Sequence, residues 1–262
     1  MRDQLVVFRG GGDLATGAVW RLWCARFPVV VCELAQPLTV RRTVSVSSAV
    51  GLGETDVEGM PARLASSPAE ALQLARAGVV AVLVSPGLPA LEPRVVVDAR
   101  LAKRNIDTTI GDAPLVVGLG PGFEAGLDVH AVVETMRGPR LGRVLWAGTA
   151  AADTGVPGDI GGRGAERVVR APVSGEVAWL VDIGARVATG QALGRVADEV
   201  LSAPFHGVVR GLIAPGTLVP RGLKIADVDP RADVGCHEIS DKALAVGGGV
   251  TEAVLTWISA AG

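Results

Sequence analysis

Gly10-Gly11-Gly12-Asp13-Leu14-Ala15 fits the pattern G-x-G-x-x-A, and Glu33 stands 21 residues after Gly12. That spacing suits a phosphate-and-ribose site. The glycines let a pyrophosphate approach the backbone, the helix start that follows offers free N–H groups, and the acid takes the ribose diol. A glutamate there favours NAD or another adenine nucleotide over NADP, whose 2′-phosphate it repels. Asp13 runs against this reading, because a carboxylate about 4 Å from a phosphate costs roughly 1–4 kcal/mol depending on the effective dielectric. Asp13 is therefore a plain helix cap, a metal or ammonium ligand, or a sign that the ligand is not a dinucleotide.

Ligands in open parallel sheets bind beyond the carboxyl ends of the strands. The residues collected there are Asp13, Glu33, Arg41, Arg42, Asp98, Lys103, Arg104, Asn105 and a second glycine loop with Gly118, Gly120 and Gly122. Arginines, a lysine and backbone amides suit an anionic ligand; the plainer reading of each charge is a solvated loop. Only Lys103, Lys224 and Lys242 are lysines among 25 basic side chains, and a lysine, unlike an arginine, can lose its proton when buried. Glu134 and Arg137 are three apart and on a helix would form a local ion pair. Asp241 and Lys242 are adjacent, so on a helix they point apart and Lys242 needs a partner from elsewhere. Lys103, Lys242, Asp241, Glu134 and Arg137 are the catalytic candidates with no role fixed, and of these only Lys103 or Lys242 suits a proton donor. Cys24 and Cys32 read as core, while Cys236 beside His237 reads as the cysteine open to solvent. His130, His206 and Cys236-His237 are scattered, which is poor spacing for a metal, and none is expected. There is no Gly-x-Ser-x-Gly elbow and no Walker A loop.

The elements that must position these residues alternate. Gln4–Arg9 is a buried strand leading into the glycine cluster, 13–26 carries helical spacing with Leu14, Ala18, Leu22 and Trp23, and Pro28–Cys32 is a second apolar strand ending at Glu33. A helix at 68–77 capped by Ser66 or Ser67 precedes strands at 79–84, 94–98 and 115–118. Uninterrupted apolar strands alternating with helices predict an α/β, Rossmann-like doubly wound sheet over 1–164. The 36–63 stretch is less regular, with a loop over 54–59, and 148–164 is a glycine-rich linker or site loop.

The second organising feature is a repeat. Ala171–Val196 returns as Ala203–Val228 at an offset of 32, matching Gly175 with Gly207, Leu180 with Leu212 and Gly190 with Gly222. Neither half can bury its apolar face alone, so the two should close on each other about a pseudo-two-fold axis. The register resembles the all-β barrel-sandwich hybrid of biotinyl and lipoyl carrier domains, placed at 165–230 as an insertion. The hairpin that would carry the modified lysine instead reads Ala197-Asp198-Glu199-Val200-Leu201-Ser202, so a structural or docking barrel is preferred. The segment 231–262, with Ser240 as a helix cap, is expected to return to the α/β domain.

Composition sets the outer bounds. The 262 residues are 49% hydrophobic with a net charge of −2, which gives no electrostatic footprint for nucleic acid or a membrane surface. No uninterrupted apolar run approaches the roughly 20 residues that span a bilayer, and no signal-peptide pattern opens the chain. Three cysteines without a CxxC pair argue against a disulfide scaffold, so a soluble cytoplasmic protein is expected, with a homo-oligomer left open.

In order along the chain, RGGGDLATG (9–17), RRTV (41–44), VEG (57–59), AKRN (102–105), GLGPGF (118–123) and VETMRG (133–138) resemble one family. LGRV (141–144), TGVPGDIGG (154–162), ERVVRAP (166–172), ADVDPR (226–231) and ISDKALAVGGGV (239–250) extend the same resemblance. They are similar to the accessory proteins of the selenium-dependent molybdenum hydroxylase system, the YqeB type, whose Rossmann part is like that of the XdhC-type maturation factors. The resemblance implies a maturation factor whose partner is a molybdenum hydroxylase, with the molybdenum cofactor as cargo. It adds Thr16 to the site candidates and gives a second reason for Gly10, Gly12, Asp13, Lys103, Arg104, Asn105, Gly120, Gly122, Glu134, Arg137, Asp241 and Lys242. Two alternatives stay open: an enzyme, either an NAD-dependent oxidoreductase or a sulfur- or selenium-transferring maturase, and a scaffold with empty glycine turns.

Overall fold

The computed structural model describes residues 3–155 and 161–261, and the chain divides into two compact units. The first holds the chain up to Ala35, Ser45–Asp153 and everything from Ile239 on; the second holds Gln36–Val44 and Thr154–Glu238. The divisions thus fall before 154 and after 238 rather than at 164 and 230. A further segment, Gln36–Val44, belongs to the second unit. Residues 156–160, the centre of the TGVPGDIGG block, lie outside the described residues.

The first unit is a nine-stranded mixed sheet. Strand β1 (Val6–Arg9) leads into helix α1 (Asp13–Cys24), followed by β2 (Val29–Glu33), the short α2 (Ala49–Leu52), β3 (Glu54–Val57) and β4 (Met60–Ala65). Helix α3 (Pro68–Arg76), β5 (Val80–Val84), β6 (Val95–Asp98) and β7 (Leu115–Leu119) come next, then β8 (Glu124–Ala125), β9 (Ala131–Val133), β10 (Val144–Leu145) and β11 (Gly148–Thr149). The sheet order is β10-β9-β7-β6-β1-β2-β5-β4-β3. From β9 through β4 every neighbour is parallel, and only the edges β10 and β3 are antiparallel. Strands β1, β2, β6 and β7 are buried along their whole length, which their continuous valine runs require: each fully buried valine contributes about 1.5–3 kcal/mol. Ser67 caps α3, accepting from the Glu70 N–H at 3.2 Å. The expected 54–59 loop is instead a hairpin, β3 with β4, turned by Glu58 and Gly59, both at positive φ.

The last helix, α4 (Asp241–Ala261), closes this unit. Ser240 accepts the Ala243 N–H through its hydroxyl (3.1 Å), and the helix lies along α1. A Cβ at Gly17 would run into the Ala243 carbonyl, and one at Gly247 would run into the Gly17 carbonyl, so the two backbones touch. Arg94, just before β6, stacks on Trp257 near the far end of α4, so both helices begin at the carboxyl edge of the sheet. By length and composition α4 would pass for a membrane span, yet Ala243, Val246, Val250, Ala253 and Val254 are buried within the unit.

In the second unit β12 (Val168–Arg170), β13 (Gly175–Trp179), β14 (Arg186–Val187) and β15 (Ala192–Val196) are followed by β16 (Glu199–Ser202), β17 (Gly207–Leu212), β18 (Leu218–Val219) and β19 (Lys224–Asp229). They form two four-stranded antiparallel sheets, β12-β19-β17-β14 and β16-β15-β13-β18. The offset of 32 turns the first order into the second strand by strand, so each sheet mixes both copies, and a shared core of residues such as Val177, Leu193, Val209 and Ile225 lies within the unit. The match breaks at one place. A bulge between Val209 and Gly211 lets Leu212 turn into the core at 1% exposure, while its twin Leu180 is 76% exposed. The bulge lies where the strap 36–44 crosses. Val40 packs where a Gly211 Cβ would stand, and Arg41 bridges to Leu212.

Candidate functional site

The glycine cluster after β1 is held by its own chain on three sides. Gly10 has φ +95° and packs against Ala99. Gly11 donates its N–H to Glu33 Oε1 (2.7 Å) and accepts from the Ser47 N–H (3.1 Å). Thr16 donates its hydroxyl to the Gly12 carbonyl (2.9 Å) and accepts from the Val46 N–H (3.1 Å), so its role is to pin 46–47 against the loop. Glu33 engages its other oxygen with the Leu34 N–H (2.8 Å) and is 9% exposed. Burial lifts its pKa above the usual carboxylate range despite both backbone hydrogen bonds. Glu33 is thus a clamp on the glycine turn, not a carboxylate turned towards a ribose.

The crevice between β1 and β6, where the sheet order reverses direction, is filled by side chains. Arg9 donates to Thr108 (2.7 Å) and pairs with Asp107 (2.6 Å); Arg100 pairs with Asp98 (2.6 Å) and Asp107 (2.7 Å); Thr108 donates to Asp98 (2.6 Å). Burial works against the Arg100 charge, but the two aspartates outweigh it and raise its pKa above the ordinary value. Arg9 and Asp98 are 4% and 1% exposed, so a dinucleotide could enter this crevice only by displacing a satisfied ion network. Apart from Asp98 the sequence reading did not single these residues out. The available signal was two opposite charges ending two fully apolar strands that pair in register, Arg9 beside Asp98.

Several candidates prove to be structural. Asn105 donates to the Thr108 carbonyl (2.8 Å) and accepts the Thr108 N–H (2.9 Å), folding its own loop. Gly118, Gly120 and Gly122 leave room for Phe123, Thr135 and the Arg104 backbone rather than for a ligand. Arg104 itself is exposed. Arg41 and Arg42 belong to the second unit, where they donate to the carbonyls of Gly235 and Glu238 and to that of Leu212. The expected helix pair of Glu134 and Arg137 is absent, because the chain there leaves strand β9. Glu134, 2% exposed, accepts the N–H groups of Met136 (2.6 Å) and Ala151 (2.8 Å), while Arg137 reaches across to Asp241 (2.7 Å). The cysteines are reversed relative to expectation: Cys24, at the end of α1, is exposed and Cys236 is buried. Burial pushes both the Cys236 and Cys32 thiols up, the latter to about 12.

The remaining candidates are those near the starts of α1 and α4. Gly12 caps α1 without a side chain, so no side-chain oxygen satisfies the first-turn N–H groups. Lys242, half-buried in the first turn of α4, lies in the field of Lys103, Arg137, Asp13 and Glu134. Burial lowers its pKa most, Lys103 and Arg137 lower it further, and the two acids pull back. Among the described residues Lys242 makes no direct ion pair. Lys103 is exposed with φ +65°, a left-handed backbone conformation. The cluster combines two helix starts and three cations with Asp13 and Asp241. Among the described residues no group of three or more histidine, cysteine, aspartate and glutamate side chains is arranged to hold a metal.

No protein-family profile matches the chain. It is 46% identical over 256 residues to a protein of Escherichia coli (strain K12) named "Uncharacterized protein YqeB", covering 96% of this chain. The chain spans 47% of that relative's length. Among solved structures, a succinylglutamate desuccinylase/aspartoacylase from Rhodobacter sphaeroides aligns with a TM-score of 0.24 at 28% identity, over 28% of this chain and 24% of that one. A product-bound ectoine utilization protein, EutE (DoeB), from Ruegeria pomeroyi aligns with the same TM-score of 0.24 at 16% identity, over 86% of this chain and 57% of its own.

Proposed function

We propose that this chain is a cytoplasmic accessory protein of the selenium-dependent molybdenum hydroxylase type. It holds a phosphate-bearing ligand at the rim of its first unit and docks on the hydroxylase through its second. The observation that carries the ligand half is that Lys242, in the first turn of α4, lies in the field of Lys103, Arg137 and Asp13, the last in the first turn of the uncapped α1. Positive charge and unsatisfied N–H groups in one place suit phosphate oxygens. A nucleotide and a phosphate-bearing pterin cofactor carried as cargo both present that anion. The accessory half rests on the resemblance carried by the motif blocks. In the second unit, Leu180, Val200 and Leu218 are 76%, 65% and 67% exposed just past β13 and on β16 and β18 of one sheet, beside the exposed charges of Arg195 and Glu176, a mixed surface suited to docking. We read the first unit as a Rossmann-like doubly wound sheet and the second as a barrel-sandwich hybrid. The switch of strand order at β1 supports the former, and the strand-by-strand match at an offset of 32 supports the latter.

The enzyme alternatives lose ground to particular residues. An NAD-dependent oxidoreductase would want Glu33 on the ribose, and Glu33 is bound to Gly11 and Leu34. A chalcogen carrier would want Cys236 accessible, and it is 5% exposed. Calorimetric titration of methyl phosphate, ADP, CTP, NAD and a molybdopterin nucleotide tests the reading, with Gly12→Glu in parallel. Binding of a phosphate-bearing ligand by the wild type and its loss in the variant are expected, since the new carboxylate repels the anion at the α1 start. Silence from the whole panel with a folded sample would sink it.

A further inference from the structure

Asp107 is the most exposed member of the ion network between β1 and β6. Its side chain is 51% exposed, against 5% for Arg9, 20% for Arg100 and 2% for Asp98. Two guanidiniums converge on one of its oxygens: Asp107 Oδ1 lies 2.6 Å from Arg9 Nη2 and 2.7 Å from Arg100 Nη2. The arginines do not depend on it equally. Arg100 is also held by Asp98, through Nε at 3.1 and 3.2 Å and Nη2 at 2.6 Å. Arg9 Nη1 donates to Thr108 (2.7 Å), but Nη2 has Asp107 as its one acceptor among the described residues. The turn that carries Asp107 is closed by Asn105, which accepts the Thr108 N–H at 2.9 Å, and not by Asp107 itself. Rotation of the Asp107 side chain therefore withdraws its carboxylate into water while the backbone stays in place, and a buried guanidinium is laid open.

We propose that Arg9 and Arg100 form a carboxylate site whose resident occupant is the chain's own Asp107, and that a small molecule bearing a carboxylate displaces it. A ligand carboxylate reproduces Asp107 in charge and in planar geometry. Charge selects it over a phosphate. With Asp107 withdrawn, the two arginines face two acids, Asp98 and Asp112, the latter 3.8 Å from Arg9. A monoanion restores the present balance, whereas a phosphate dianion exceeds it by one charge where little water remains to solvate it. Space adjoins the site. Asp112 also lines an open groove of about 640 Å³ with Glu92, Arg94 and Pro114, so the Arg9 guanidinium borders room for the rest of a small molecule. This site is separate from the phosphate site proposed at the helix starts, and neither depends on the other.

Acetate is the probe, at neutral pH, with the backbone amide signals of residue 107 and Thr108 followed by magnetic resonance. In the wild type, sodium acetate should move these signals saturably, and sodium chloride at equal ionic strength should not. In Asp107→Asn the neutral amide competes less well for the guanidiniums, so the signals should saturate at about 10–100-fold lower acetate. Methyl phosphate, mostly a dianion at this pH, should bind the variant more weakly than acetate does. Asp107→Ala removes the competitor outright; it should melt below the wild type and regain stability saturably with acetate but not with chloride. The nearly isosteric Asp107→Asn keeps the test decisive if the alanine variant does not fold. An Asp107→Asn protein that ignores acetate shows that the arginines form no anion site. A variant that responds while the wild type stays silent across that range shows that Asp107 is a fixed strut. Either result overturns the proposal, as does a response that chloride or methyl phosphate matches.

Discussion

Three side chains around the sheet engage backbone groups rather than substrates: the buried Glu33 and Glu134 and the half-buried His130. His130 is the one whose role changes with pH. Its Nδ1 accepts the N–H of Val116 at 2.9 Å, standing in for a backbone carbonyl between β7 and the start of β9. Burial lowers its pKa, as expected for a ring that must stay neutral to accept. With the folded value depressed, this contribution is complete above the unfolded histidine value of about 6.5 and is lost as pH falls through the lower folded one. His130→Ala should therefore cost about 1–3 kcal/mol at neutral pH, because the buried Val116 N–H loses its partner. His130→Asn, which keeps an acceptor and cannot titrate, should retain most of the stability and lose the acid-side decline. Urea unfolding of the three proteins at pH 7.5 and 5 checks this, and parallel curves for wild type and His130→Asn would contradict it.

At the scale of elements, the seam between α1 and α4 rests on particular glycines. Gly247 and Gly248 are adjacent, yet a Cβ on Gly247 would strike the Gly17 carbonyl, whereas one on Gly248 meets nothing within 4 Å. Gly247→Val should thus destabilise the first unit by about 2–3 kcal/mol through overpacking. Gly248→Ala should stabilise it by about 0.5–1 kcal/mol, by relieving the entropy cost of a helical glycine. Thermal unfolding of the two variants reads opposite signs from neighbouring positions; equal shifts would refute the seam. The same elements show what the sequence could reveal. Strands β1 and β2, helix α1 and the 32-residue repeat are legible because valine runs and paired glycines report local geometry. Hairpin β3–β4 was obscured by Glu54, Thr55 and Asp56, an edge strand with only Val57 buried. The Arg137–Asp241 pair, 104 residues apart in sequence, left no local trace, so Arg137 was assigned to the wrong partner. The glycine turn gives no sign that Glu33 clamps it and that Asp98 and Thr108 fill the neighbouring crevice.

The whole molecule is two units threaded through one another by sequence, since the chain passes from one to the other at 35/36, 44/45, 153/154 and 238/239. Residues 36–44 are the least expected part of this arrangement. Val40 fills the space over Gly211, Arg42 donates to the Leu212 carbonyl (2.7 Å), and Thr43 donates to that of Cys236 (2.5 Å). Nothing in the 32-residue repeat calls for a strap, and the bulge at Gly211 is where the two copies diverge to admit it. Gly211→Val places two methyl groups where Val40 and its carbonyl lie, so the strap must lift and Leu212 must lose its turn into the core. Because each unit has its own buried core, the damage should stay in the second. Amide exchange in β17 and β19 should accelerate markedly, while β1, β6 and β7, buried along their whole length, should keep their protection. Acceleration spread evenly over both units would show instead that the strap carries stability from one to the other, and that the chain unfolds as a single cooperative body.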